Sequence, residues 1–142
     1  MLVRCLYASR AVTPLDPASL DAIFVQSRRN NPPRGITGLL CFVDDIFIQV
    51  LEGGRDAICD LLSTIIRDDR HHSVRILSYE EIPERRFGHW NMGHVNIAKV
   101  NASLLLKYSE KPVLDPFSSP GSATMALLDE LVATAAIVSR AG

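Results

Sequence analysis

An excess of charge of either sign is absent: 15 Lys and Arg against 16 Asp and Glu leave a net charge of −1. Nonspecific binding to nucleic acid or to an anionic membrane needs a basic surface, so both are disfavoured. Cysteine is scarce, with Cys5, Cys41 and Cys59 all set in apolar patterns. Neither a disulfide framework nor a zinc site is indicated, and three buried-type thiols suit a reducing cytoplasm. No apolar run is long enough to span a bilayer, and the first residues read as a strand bracketed by Arg4 and Arg10 rather than a secretory leader. A Ser/Cys-His-acid set, a Gly-rich phosphate loop and a carboxylate pair are all missing, which removes the commonest signatures of catalysis. His71 and His72 lack further ligands at metal spacing.

What is present is organised around residues 35–54, GITGLLCFVDDIFIQVLEGG. Two strands, 35–43 and 46–51, flank the turn pair Asp44-Asp45. A two-residue loop sets Val43 opposite Ile46, Cys41 opposite Ile48 and Leu40 opposite Gln49. Alternation then puts Gly38, Leu40, Phe42, Phe47, Gln49 and Leu51 on one face, and Leu39, Cys41, Val43, Ile46, Ile48 and Val50 on the other. Both faces are apolar and both need a cover. Gln49 breaks the pattern. Left unpaired when buried, its amide costs about 1–3 kcal/mol, so it is either a core amide bonded to nearby backbone or a group facing a bound ligand.

Around the hairpin, residues 2–8 form a strand, and Asp16 caps a helix that begins at Pro17 with the stripe Leu20, Ile23, Phe24 and Ser27. That helix ends at Asn30-Asn31, because Pro32-Pro33 cannot continue it and favours an extended Asn31. A second helix after Gly53-Gly54 presents Ala57, Ile58, Leu61, Leu62 and Ile65. Residues 74–82 and 90–97 read as strands, joined by a basic loop whose Arg85-Arg86 look like solvated charges. The result is an α+β, ferredoxin-like β-α-β-β-α-β sheet with one added strand and two helices on one face. Residues 99–142 form a C-terminal extension: a short helix over 101–108, a Pro/Ser-rich connector, and a helix over 122–138 with Met125, Leu128, Leu131, Val132 and Ile137 on one side. That helix is expected to cover the second face of the hairpin, alone or with another copy of the chain. The division is a sensor-sized domain over 1–98 and the extension over 99–142.

In this topology the first strand pairs near the third, bringing Tyr7 towards Gln49, with Asn31 at one end of the sheet. Singly, each side chain is explained by backbone partners. Together they suit a flat heterocycle with polar edges. Trp90 and Met92 either flank the same pocket or pack as ordinary core. Arg70, His71 and His72 either bind an anionic tail or form a solvated charge run.

At these residues the chain resembles the BLUF family, blue-light sensors that use a flavin. The resemblance rests on Tyr7 and Ser9 in LYAS, on RRNNPPRGITGLL over 28–40, on FIQVLEG over 47–53, on RDDRHHS over 67–73 and on RRFGHWNM over 85–92. LLLKYS over 104–109 and the last helix are similar to the short PixD-like members. The resemblance implies a non-covalent flavin (FAD, with FMN or riboflavin as alternatives) between the two helices. Asn31 and Gln49 would face the ring edge, with Tyr7 bonded to Gln49 and Asn30 also in the cofactor-binding set, and Asp68, Arg70 and His71 would match its ribityl and phosphate region. It implies that Tyr7 gives an electron and a proton to the excited flavin, that Gln49 then rotates or tautomerises to bond the flavin carbonyl with a red-shifted spectrum, and that Trp90 and Met92 shift as the signal leaves. Some relatives carry a basic residue on the second helix where this chain has Thr64, which puts the weight of phosphate binding on Arg70. With no effector domain expected after the sensor, a non-enzymatic photoreceptor acting through a homo-oligomer or a separate partner protein is implied. Two other classes compete: a small hydrolase of acylphosphatase type using Arg10, and a colourless protein-interaction module.

Overall fold

The structure, a computed structural model, describes residues 1–12, 15–95 and 100–134. Its elements in order are β1 (Leu2–Ala11), α1 (Pro17–Asn30), a single 3-10 turn (Pro32–Arg34), β2 (Thr37–Val43), β3 (Ile46–Gly54), α2 (Arg55–Arg67), β4 (His71–Ile82), β5 (Asn91–His94), α3 (Ala102–Tyr108) and α4 (Gly121–Ala133). The strands make one sheet in the order β4-β1-β3-β2-β5. Among the described residues, only the β2–β5 pairing is parallel. This is the expected ferredoxin-like α+β arrangement.

The hairpin register follows from its two-residue turn, in which Asp44 takes a left-handed φ of 58°. Val43 pairs with Ile46, Cys41 with Ile48 and Leu40 with Gln49. β1 lies on the other side of β3 and sets Tyr7 directly against Gln49. Two cores result. Leu40, Phe47 and Leu51 join Val3, Cys5, Phe24, Ile58 and Leu62 beneath α1 and α2. Leu39, Cys41, Ile48 and Val50 join Leu6, Leu127, Leu128 and Leu131 beneath α4. The C-terminal helix therefore covers the second face, as its apolar stripe requires. The expected continuation of that helix to residue 138, with Ile137 in its stripe, lies outside the described residues, as do the end of the fifth strand (96–97) and the division at 98/99.

Three local readings differ from the structure. Asn31 is not extended: it holds α-helical angles, φ −77° and ψ −43°. Its N–H bonds Ser27 O, and its carbonyl accepts from Arg34 N and Ile36 N at 3.0 Å each. Those three bonds outweigh the steric push of the following proline. β4 begins at His71, so His71 and His72 are ladder residues opposite Ala11 and Arg10 rather than a solvated run. Arg85 and Arg86 are not merely solvated either. Arg85 Nη1 donates to Thr37 Oγ1 (2.9 Å) and Glu52 O (3.1 Å), and Arg85 Nη2 to Gly35 O (2.7 Å). Arg86 pairs with Asp129 of α4 at 3.0 Å.

Candidate functional site

The sheet face under α1 and α2 is not completely filled. Between the helices lies a cleft enclosing about 830 Å³, part of it open to solvent. Ile23, Leu40, Phe47, Leu61 and Ile65 supply its apolar walls. Strand pairing delivers Tyr7 and Gln49 to its floor, and the Pro-Pro turn at the end of α1 delivers Asn31. All three are buried, at 4%, 5% and 4% exposure.

The floor is a hydrogen-bonded relay. Tyr7 donates its phenolic O–H to Gln49 Oε1. Gln49 Nε2 donates to Met92 Sδ at 3.1 Å. Burial, reinforced by Cys5 and Asp68, drives the Tyr7 pKa well above the ordinary tyrosine range, so the phenol is neutral. Among the described residues no group hydrogen-bonds the Asn31 side chain. An amide of a buried residue that opens onto a cleft with apolar walls, without a protein partner of its own, is the arrangement a flat, polar-edged heterocycle completes, so the residues fit a flavin ring.

At the far end, His71 Nε2 faces Ile65 O at 2.5 Å and His71 Nδ1 faces Ser9 Oγ at 2.7 Å. A carbonyl only accepts, so Nε2 carries the hydrogen, while Nδ1 shares its hydrogen bond with the buried Ser9 hydroxyl. Arg70 and Asp68 lie at the rim. The hydrogen bond from Arg70 holds the Asp68 carboxyl below the usual carboxylate range, and the same contact raises Arg70.

The structure thus brings Tyr7, Asn30, Asn31, Gln49, Asp68, Arg70 and His71 along one cleft. Met92 reaches Gln49, but Trp90 does not share that wall. It packs, half-buried, against the core beneath α4. The reason is at Met92, whose left-handed φ of 58° accompanies a register shift between β2 and β5. That irregularity breaks the alternation that puts residues two apart on one face. Thr64, the position where some relatives carry a basic residue, also lines the cleft, as do Gln26, Ser27 and Arg34, which the sequence did not mark as site residues. For Arg34 the available signal was its spacing, three residues after Asn31 across a rigid turn. Among the described residues no cluster of metal-ligating side chains occurs.

Comparison with known proteins points the same way. The BLUF family profile, described as sensors of blue-light using FAD, matches residues 2–93. The chain is 36% identical over 86 residues to photoactivated adenylate cyclase subunit beta of Euglena longa, covering 61% of this chain and 10% of that protein. It is 28% identical over 88 residues to the blue light- and temperature-regulated antirepressor BluF of Escherichia coli strain K12, covering 62% of this chain and 22% of that protein. It therefore spans about a tenth of the cyclase subunits it matches. Among solved structures, BlsA in its photo-activated state superposes with a TM-score of 0.85 at 27% identity, covering 100% of this chain and 99% of that one. Dark-state BlrB, a BLUF protein, superposes with a TM-score of 0.78 at 31% identity, covering 94% and 96%.

Proposed function

The chain belongs to the BLUF family of blue-light sensors that use FAD, and from that premise we propose that Tyr7 and Gln49 are its photoactive pair. The observation that carries this reading is the buried relay from the Tyr7 hydroxyl through the Gln49 amide to Met92 Sδ. A bound flavin supplies the blue-light absorption and, once excited, a strong electron acceptor. The chain's own residues do the rest. Asn31 and Gln49 offer donors and acceptors to the ring edge, while Asp68, Arg70 and His71 line the way out for the tail. Tyr7, held neutral, has both an electron and a proton to give from its hydroxyl oxygen.

Gln49 stores the result. A primary amide carries an acceptor at one end and donors at the other, so reversing it exchanges what each neighbour receives. Its present amide contact is to a thioether, a weak acceptor, so leaving that contact costs little. Met92 itself occupies a backbone region that costs a non-glycine residue about 1–2 kcal/mol, so β5 is biased to respond when Gln49 turns.

In this reading the chain is a non-enzymatic sensor in the cytoplasm. The free thiols at Cys5, Cys41 and Cys59 support that setting. Its output passes through a homo-oligomer or a separate protein, and a strict monomer on size-exclusion columns in both dark and light excludes the oligomer. Gln49→Leu tests the pair: flavin stays bound while the red shift after blue light is lost. A normal photocycle in that variant overturns the assignment.

A further inference from the structure

The charged side chains along the cleft are Arg34, Asp68, Arg70 and His71. Both ring nitrogens of His71 are engaged by Ser9 and Ile65. Arg70 is engaged as well. Its Nε lies 3.0 Å from each Asp68 oxygen, its Nη2 lies 2.5 Å from Asp68 Oδ2, and the same Nη2 donates to Gln26 Oε1 at 3.2 Å. The Asp68 carboxylate therefore compensates the one cation that the sequence offered for a phosphate. Arg34 differs: among the described residues no side chain or carbonyl pairs with its guanidinium. Its position is nonetheless defined. It closes the Pro32–Arg34 turn, with its N–H on Asn31 O at 3.0 Å and Gly35 N on Pro32 O at 2.9 Å. One rigid turn thus presents a buried amide to the cleft floor and an uncompensated cation to its rim.

Resting on the flavin reading, we infer that Arg34 gives this cleft its preference for a phosphorylated flavin tail over an uncharged ribityl chain. With Arg70 balanced by Asp68, Arg34 supplies the net positive charge of the rim. A guanidinium is the side chain best matched to a phosphate, through paired charge-assisted hydrogen bonds.

Riboflavin and FMN share ring and ribityl chain and differ only in the phosphate. The test titrates each into the full chain freed of flavin, reading flavin fluorescence, for the unchanged protein, Arg34→Gln and Arg34→Lys. The unchanged chain should favour FMN by about two- to fivefold, the factor for one charge pair near a surface. Arg34→Gln should bring that ratio close to unity by weakening FMN alone, and Arg34→Lys should keep most of it. An unchanged ratio in Arg34→Gln, or no preference in the unchanged chain, overturns the inference while leaving flavin binding intact. Failure of the unchanged chain to bind either flavin overturns the flavin reading itself.

Discussion

Arg4 and Glu52 form an ion pair at 2.8 Å with only 6% and 0% of their side chains exposed. Glu52 is more than a counterion. Its Oε2 also accepts from Arg86 N at 2.9 Å, and its Oε1 accepts from Phe87 N at 2.6 Å. One buried carboxylate thus fastens the loop that leads into β5, the strand bearing Met92.

Removing it leaves the buried Arg4 guanidinium with only the exposed Glu80 carboxylate, 2.9 Å from its Nη1, and strands two backbone N–H groups. Glu52→Ala should lower the free energy of unfolding by about 3–5 kcal/mol, measured by urea denaturation. Glu52→Gln, which keeps an acceptor, should cost less. A loss below about 1 kcal/mol for Glu52→Ala contradicts the role given to this carboxylate.

Tyr7 should make stability depend on alkaline pH. Burial raises its folded pKa, whereas the unfolded chain ionises near the ordinary value of about 10. Its contribution is therefore fully present below that pH and is lost as pH rises towards the folded value. Urea midpoints on either side of about pH 10 should fall less steeply in Tyr7→Phe than in the unchanged chain. Equal slopes contradict a buried, proton-retaining phenol.

A third expectation concerns the face opposite the cleft. A β-carbon on Gly121 would lie 2.4 Å from Leu77 O, so only glycine lets the start of α4 approach β4 this closely. Gly121→Ala should destabilise the fold by about 1–3 kcal/mol and leave flavin affinity unchanged, because the cleft lies on the other side of the sheet. Altered flavin affinity with unaltered stability contradicts this separation of faces.

The hairpin was legible because its information is local. Strict alternation and a two-residue turn determine which face each side chain takes, so the burial of Gln49 and its register against Leu40 could be read directly, whereas Tyr7 could be brought towards it only through the overall topology. The α1 cap was local as well: Asp16 Oδ1 accepts from Ser19 N at 2.7 Å. What the sequence hid is long-range. Glu52 looks like a strand-end charge until Arg4, 48 residues away, folds against it. Arg85 and Arg86 resemble solvated charges because their partners lie far off in the chain: Gly35 O ahead of β2, Thr37 Oγ1 on β2, Glu52 O on β3 and Asp129 on α4. The parting of Trp90 from Met92 depends on one left-handed residue, and a methionine gives no sign of that conformation.

The most direct measurement is a light-minus-dark absorbance spectrum of the flavin-loaded protein. The relay from Tyr7 through Gln49 predicts a flavin band that moves to the red under blue light and returns in darkness. A flavin that stays bound but shows no reversible shift contradicts the central claim that this hydrogen-bonded pair is the switch.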